Sequence, residues 1–272
     1  KYLPSNKNTS IQISSKDVLG NILWNKDENL LKAGFEKLHL KKNDALSVDI
    51  NHADLSAYLA IQKASVEEIA RIYLLKRVLE FNPDFFKDKV ANIIQLADTS
   101  ELETFLKFLV LLPNAEDYKF VAVEALRTNI ATIFDAISAH NPYPSLYFNT
   151  QQWNQMFLKA AFIQSELTTF NAVDERANKE LARIISDYAH ERWAAGRTID
   201  PFFWRPVTNF IEGALIDDMQ RLFESKDIVE NKVAAICCFN SNNEIGKKML
   251  EKYPMFMQQL EEKKLTWNSL KD

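Results

Sequence analysis

Glycine is scarce in this chain, and the scarcity limits the folds that the chain can adopt. Only five glycines occur in 272 residues, and apolar residues recur at helical spacing through the long spans between the eight prolines. Alternation typical of strands is confined to 11–14 and 48–50, and both stretches are too short to found a sheet. The sequence therefore predicts an all-α protein.

Turn signals divide the chain into helices of hairpin length. Amphipathic patterns predict helices at 27–38, 53–62 and 65–81, with Ser65 as an N-cap. Further along, Ser100 is the predicted cap of a helix that reaches Leu112. The next helix is expected to start near Ala115 and to carry apolar residues on one face as far as Ile137. A second set of helices is predicted at 214–224, 227–240 and 243–263.

Helical hairpins of this kind permit two architectures. They are the units of HEAT-like α-solenoids, in which neighbouring hairpins stack into a superhelix, but they also occur in compact helical domains. No strict sequence repeat decides between the two. Residues 1–25 are rich in Asn, Ser and Lys and are expected to form a loosely attached arm, and 26–272 are expected to form a single all-α domain.

Charge and composition exclude several classes of function. The net charge of −4 is spread along the chain without basic blocks, so nucleic acid is not an expected partner. No apolar run reaches the roughly 18 residues that a membrane helix needs, which predicts a cytoplasmic protein with no membrane span. The two cysteines, Cys237 and Cys238, lie about 100° apart on a predicted helix and are expected to be core thiols.

Polar residues interrupt the apolar pattern of the predicted helix at 150–164. Its apolar residues point in nearly every direction around the axis, which is typical of a helix surrounded by protein, yet Asn154, Gln155 and Lys159 lie among them. Gln155 and Lys159 are four residues apart and share a face. Two interpretations stay open, a polar pocket and a single solvated stripe.

The predicted helix at 175–195 carries a second anomaly. Arg192 falls between core-facing positions, where an arginine is rarely left unpaired, and either an acidic side chain of the protein or a ligand anion could be its partner. Asp187, His190 and Glu191 are close in helical spacing, but the second histidine typical of a zinc helix is missing, since Ala194 stands there. No metal site is predicted.

The loop ahead of these helices can contribute to the same cluster. Asn141-Pro-Tyr-Pro144 must be extended, because each proline disfavours helical geometry in the residue before it. It can place Tyr143 at the rim of a pocket or simply end a helix. Arg127 and Asn129 precede the loop and could join the cluster. The chain lacks a nucleophile elbow, a P-loop and a dinucleotide fingerprint, so no cofactor is predicted and the question of catalysis stays open.

Six motifs follow one another in this part of the chain. They are EALRTN at 124–129, NPYP at 141–144, WNQMFLKAAF at 153–162, DERAN at 174–178, DYAHERWAAGR at 187–197 and PFFWRP at 201–206. Together they resemble the EboA family, which is encoded in the bacterial ebo gene cluster, and the resemblance covers roughly 65–240. The resemblance implies a role in a specialised-metabolite pathway and implies other ebo-pathway proteins as possible partners. It implies no reaction.

Two hypotheses about function follow. The first is a central polar pocket, binding or catalytic, for a small anionic or polyhydroxyl metabolite that could be phosphorylated; guanidinium groups suit phosphate and carboxylate. The second is a non-enzymatic helical scaffold that docks other proteins of the pathway. The residues predicted to bind the ligand are Arg127, Asn129, Tyr143, Asn154, Gln155, Lys159, Arg176, Asp187, His190, Arg192, Arg197 and Arg205.

Overall fold

The protein is helical throughout the part that can be described. The computed structural model describes residues 53–270, and every regular element in this range is a helix. The chain divides into two compact units, with the boundary between Tyr147 and Phe148. The prediction of an all-α fold is confirmed, whereas the arm at 1–25 and the helix at 27–38 lie outside the described residues.

Helices α1 to α7 belong to the described part of the first unit. They span Ala53–Ile61 (α1), Val66–Phe81 (α2), Pro83–Gln95 (α3), Thr99–Phe108 (α4), Lys119–Ala125 (α5), Ala131–Ser138 (α6) and Tyr143–Tyr147 (α7), with short 3₁₀ helices at Leu109–Leu111 and Ala115–Tyr118. Helix α4 packs against α2 and α6. Phe105, Phe108 and Phe134 are completely buried there and form the core of the unit.

Local capping chemistry fixes the helix starts in this unit. Ser65 begins α2 with a capping box, in which its hydroxyl accepts from Glu68 N and Glu68 accepts from Ser65 N. This confirms Ser65 as a cap. The predicted cap at Ser100 is wrong, because Asp98 caps α4 and forms the box with Glu101.

The long helix predicted from Ala115 to Ile137 is broken in the structure. The 3₁₀ helix Ala115–Tyr118 leads into α5, which ends at Ala125, and α6 begins only at Ala131. Between them the Thr128 hydroxyl accepts a hydrogen bond from the Ile130 backbone N–H at 3.1 Å. A short polar side chain that bonds to the nearby backbone offers an alternative to the helical ladder, which accounts for the break.

The second unit contains α8 to α13. They span Thr150–Ile163 (α8), Lys179–Ala194 (α9), Ala214–Phe223 (α10), Ile228–Asn240 (α11), Glu244–Leu250 (α12) and Pro254–Glu261 (α13), with 3₁₀ helices at Leu167–Thr169, Pro201–Phe210 and Asn268–Leu270. Helix α11 packs against α10, α12, α13 and the 3₁₀ segment Pro201–Phe210. It is the central helix of this unit.

The two thiols lie on the buried face of α11, as predicted for core residues. Both cysteines are buried and free, and burial raises the pKa of Cys238 to about 12. Helix α12 approaches this face closely at Gly246, where an added Cβ would lie 3.4 Å from Ser241 Cβ and 3.5 Å from Cys238 Cα. Glycine therefore permits the two helices to pack at this distance.

The tryptophans of the second unit differ in burial. Trp153 and Trp204 are each 1% exposed. Trp193 is only half-buried, and its ring stacks on Trp204 with 5.6 Å between ring centroids. The Arg221 guanidinium carbon lies 4.3 Å from the centre of the Trp193 ring, so a cation rather than the core covers it.

Two predictions about architecture stay predictions. Helix pairs pack in both units, which is common to a HEAT-like solenoid and to a compact helical domain. Two compact units do not by themselves define two domains, so a single domain over 26–272 is also untested. Between residues 53 and 270, no helix has the length and apolar character needed to cross a membrane.

Candidate functional site

An amide pair joins α8 to the start of α9 inside the second unit. Asn154 is 4% exposed, and its Nδ2 donates to Asn178 Oδ1 at 3.2 Å while Asn178 Nδ2 donates to Asn154 Oδ1 at 2.9 Å. Asn178 Oδ1 also accepts from Leu181 N at 2.9 Å and so caps α9. The buried amide of Asn154 therefore has its hydrogen-bond partner within the protein.

Arg176 lies beside this pair and covers Trp153. Its Nη2 donates to the carbonyl of Phe148 at 2.7 Å, and its guanidinium carbon lies 5.2 Å from the centre of the Trp153 ring. Burial lowers the pKa of Arg176. The Trp153 indole N–H is buried and has no hydrogen-bond acceptor among residues 53–270, which costs about 1 to 3 kcal/mol for a neutral donor.

Gln155 and Lys159 do not share one environment. Gln155 is exposed, as the solvated interpretation of this stripe requires, whereas Lys159 is half-buried one turn further along α8. Removal from water lowers the pKa of the Lys159 ammonium. Lys159 therefore keeps its apolar stem against the protein at some cost to its charged form.

Salt bridges occupy two more of the predicted residues. Arg205 makes a bidentate pair with Asp174, with Nε to Oδ1 at 2.8 Å and Nη2 to Oδ2 at 2.5 Å. Asp187 is exposed and pairs with Arg183 one turn earlier on α9. Both pairs are consistent with a structural role for these side chains.

His190 is held by a buried carboxylate. Asp218 on α10 is 2% exposed; its Oδ1 lies 2.6 Å from His190 Nε2, and its Oδ2 accepts from the Ser186 hydroxyl at 2.5 Å. Ser186 and His190 are four residues apart on α9 and so face α10 together. Buried charge with two donors is well compensated, and this cluster fixes α9 to α10.

Arg192 is tied to the chain that follows α9. Its Nε and Nη2 donate to the Thr198 carbonyl at 3.1 Å and 2.8 Å, and neither Asp187 nor Glu191 pairs with it. The helix ends through Gly196, whose φ of +65° lies in the left-handed region that favours glycine. Arg197 is exposed just after this turn.

A cavity of about 460 Å³ lies where these elements end in the second unit. The ends of α8 and α9, the loop at 198–201 and the first turn of α11 supply its walls. Its lining residues are Ala161, Gln164, Ser165, Tyr188, Arg192, Thr198, Ile199, Asp200, Pro201, Asp227, Val229 and Glu230. The volume falls in the range of small-molecule sites, about 300 to 1,000 Å³.

The polar groups of the cavity carry more negative than positive charge. Three carboxylates, from Asp200, Asp227 and Glu230, face one guanidinium, from Arg192. Asp200 is open to solvent, yet the protein atoms packed around its carboxyl still raise its pKa, against the lowering effect of a hydrogen bond from Phe202 N. This arrangement can accept hydrogen bonds from hydroxyl groups at several points.

The first unit holds a smaller cavity with a mostly apolar lining. The ligand-binding residues predicted in this unit do not line it. Its volume is about 220 Å³, and its lining residues are Leu55, Leu59, Ile69, Ile72, Tyr73, Lys76 and Leu111. Arg127 is exposed and pairs with Glu124 at 2.6 Å, and Asn129 is also exposed. Tyr143 is completely buried and donates to the Ala115 carbonyl at 2.9 Å.

One predicted residue, Arg192, thus lines the cavity of the second unit. Four others in this unit have protein partners instead: Asn154, Arg176, His190 and Arg205. Sequence reasoning missed Tyr188, Asp200, Asp227 and Glu230. Asp200 and Asp227 precede helix starts and also act as N-caps, so only their capping signal is visible in sequence. Whether any of these residues binds a ligand stays a prediction.

No metal centre is evident in the part of the chain that the structure describes. Residues 53–270 contain no group of three or more His, Cys, Asp or Glu side chains placed to hold a metal ion. Of the three residues considered for zinc, Asp187 pairs with Arg183 and His190 contacts Asp218.

Comparison with known proteins adds a family to this geometry. Residues 23–208 match the family model described as "Metabolite traffic protein EboA". No curated protein and no solved structure matches the chain. The matched range covers well over half of the 272 residues and contains the polar cluster of α8 and α9 with most of the cavity lining. The chain therefore belongs to the EboA family.

Proposed function

We propose that the protein binds a small polyhydroxylated metabolite in the cavity of the second unit. The observation that carries the proposal is the convergence of Arg192, Tyr188 and three carboxylates on one cavity of about 460 Å³. A mixture of charged and aromatic side chains around apolar walls is common to small-molecule sites. The family description, which refers to metabolite traffic, is in keeping with this role.

The lining favours a polyhydroxyl ligand over the anionic one that the sequence left open. An anion would meet Asp200, Asp227 and Glu230, and like charges brought together cost binding energy. Arg192 already directs two of its five N–H groups to the Thr198 carbonyl. Hydroxyl groups can donate to the carboxylates and accept from the remaining guanidinium N–H groups.

Binding of neutral polyols tests the proposal. We expect myo-inositol and methyl β-D-glucoside to shift the amide NMR signals of residues around the cavity, and methyl β-D-glucoside 6-phosphate to bind at least tenfold more weakly. Glu230→Gln keeps the shape of the side chain but removes a charged acceptor, so it should weaken polyol binding. Glu224→Gln is the control: it changes an exposed glutamate of the same unit that does not line the cavity, so it should leave polyol binding unchanged. Spectra that no polyol perturbs would overturn the proposal.

A docking scaffold is the second candidate, and one observation favours it. Several large apolar side chains are more than 40% exposed on the two units, and exposed apolar surface often marks an interface. Among them are Ile61, Phe81, Leu96, Phe120, Ile130, Leu146, Phe162, Ile228, Ile245 and Met255. A scaffold needs no ligand in the cavity, so under this hypothesis the polyol titrations leave the spectrum unchanged.

A further inference from the structure

Large apolar side chains border the polar cavity of the second unit. Phe162 is 74% exposed, Ile228 is 50% exposed and Ile163 is 38% exposed. Each is the immediate chain neighbour of a lining residue: Phe162 follows Ala161, Ile163 precedes Gln164, and Ile228 lies between Asp227 and Val229. Neighbouring Cα atoms are about 3.8 Å apart, so the backbone of these three residues runs beside the cavity while their side chains are exposed to solvent.

Local structure explains why these side chains are exposed. Helix α8 ends after Ile163, because Gln164 adopts a left-handed conformation with φ 61° and Ser165 N bonds back to the Ala160 carbonyl at 2.9 Å. On the other side, Asp227 caps α11, which places Ile228 at the first helical position. The end of one helix and the start of another thus present apolar groups beside the same cavity.

The cavity also has apolar residues in its lining. Ile199, Pro201 and Val229 line it together with the polar groups. Val229 is the residue after Ile228, so exposed and lining apolar groups are consecutive in the first turn of α11. Isolated exposed apolar residues are ordinary on protein surfaces, but a cluster at a polar cavity offers two chemically different surfaces to one ligand.

We infer that the ligand of this cavity is amphiphilic, with a hydroxylated head and a hydrocarbon portion. The inference rests on the proposed function: the head binds among Arg192 and the carboxylates, and the hydrocarbon portion lies against Phe162, Ile163 and Ile228. Burial of about two methylene groups, at ~0.8 kcal/mol each, is enough for a tenfold gain in affinity.

A free amphiphile fits this edge better than a membrane surface does. The carboxylates of Asp200, Asp227 and Glu230 stand beside the exposed apolar groups. Such acidic groups are repelled by anionic lipid headgroups, whereas peripheral membrane proteins usually place lysine and arginine around their apolar anchors. A neutral hydroxylated head meets no such repulsion.

The experiment compares n-hexyl β-D-glucoside with methyl β-D-glucoside, both as monomers, by NMR titration of the full chain. We expect the hexyl compound to bind at least tenfold more tightly to the unchanged protein. Phe162→Ser and Ile228→Ser should each reduce that ratio at least threefold and leave binding of the methyl compound unchanged. Leu96→Ser is the control, because Leu96 is also 74% exposed but lies in the first unit, and it should keep the full ratio.

The outcomes separate this inference from the proposed function. If the two glucosides bind equally, or if the hexyl gain survives in Phe162→Ser and Ile228→Ser, the ligand is not amphiphilic, while binding of the methyl compound still supports the polyol site. If neither glucoside perturbs the cavity residues, both proposals fall. Sedimentation with phosphatidylcholine–phosphatidylglycerol vesicles that is lost in Phe162→Ser would assign the apolar edge to a membrane surface and overturn the inference.

Discussion

Buried charge at Asp218 depends on two donors from a single helix. The Ser186 hydroxyl and His190 Nε2 both contact its carboxylate, so each oxygen has a partner. Asp218 lies on α10, and Ser186 and His190 lie on α9. Loss of an Asp218 oxygen would leave the buried Ser186 hydroxyl without its acceptor. Asp218 is therefore expected to stabilise the packing of α9 against α10.

Asp218→Asn should destabilise the protein by about 1 to 3 kcal/mol, since the introduced amide N–H₂ opposes one of the two donors. Asp217→Asn is the matched control, because Asp217 is the exposed neighbour in the first turn of α10, where loss of a negative charge costs less than about 1 kcal/mol. Urea unfolding of both variants gives the comparison. Equal free energies of unfolding would show that the buried contacts contribute nothing.

Lys159→Met should leave the protein as stable as before or more stable at neutral pH. Desolvation lowers the pKa of Lys159 below its ordinary value of 10.5, so the unfolded chain holds this proton more tightly than the folded protein does. The resulting penalty is complete below the lowered pKa and disappears as pH rises through it towards 10.5. Methionine keeps the apolar stem without the charge.

Thermal unfolding between pH 7 and about pH 10 measures this effect. The stability difference between Lys159→Met and the unchanged protein should shrink as pH rises, because the lysine loses its penalty and the methionine has none. A variant that is strongly less stable at pH 7 would mean that contacts of the ammonium outweigh its desolvation.

At the scale of elements, Asn178 performs two tasks at one helix start. Its Oδ1 caps α9 through Leu181 N, and its amide exchanges two hydrogen bonds with the buried Asn154. Asn178→Ala should cost about 2 to 4 kcal/mol, of which the cap accounts for ~1 kcal/mol and the unpaired amide of Asn154 for the rest.

Asn149→Ala is the comparison for this prediction. Asn149 caps α8 from an exposed position, so its loss should cost only the ~1 kcal/mol of a cap. Guanidinium unfolding of both variants distinguishes the contributions. A cost at Asn178 no larger than that at Asn149 would show that the amide pair adds no stability.

The elements also show what sequence can and cannot predict. The Ser65 capping box and the apolar periodicity of α2 are local, and both were sufficient to place that helix. The break at Thr128 depends on a side chain bonding to its own backbone, which periodicity does not register. Likewise, the apolar pattern around Asn154 indicated a polar side chain on a helix surrounded by protein, but only the fold brings Asn178 to it. The acids of the cavity were hidden for a similar reason, since Asp200 and Asp227 have the sequence signature of caps.

At the scale of the whole chain, the range matched to the family and the second compact unit end at different residues. The match ends at residue 208, within the 3₁₀ segment Pro201–Phe210, whereas α10 to α13 follow it. Trp204 and Val207 of this segment are buried, and α11 packs against the segment. The core of the second unit therefore needs helices beyond the matched range.

Ending the chain after Glu212 should abolish cooperative unfolding of the second unit, because the segment would lose the cover of α11. Near-ultraviolet circular dichroism and tryptophan emission report this, since Trp153, Trp193 and Trp204 all lie in that unit. A shortened protein with native-like tryptophan signals and an unchanged melting temperature would contradict the prediction.

The lining of the cavity falls partly inside and partly outside the matched range. Its lining from Ala161 to Pro201 lies inside the range shared with the family, but Asp227, Val229 and Glu230 come after that range ends. The start of α11 therefore supplies two of the three acids of the lining, and the half-exposed Ile228 lies between Asp227 and Val229 in the chain. Substitutions confined to this one turn would change the charge of the cavity and the apolar character of the adjoining surface together.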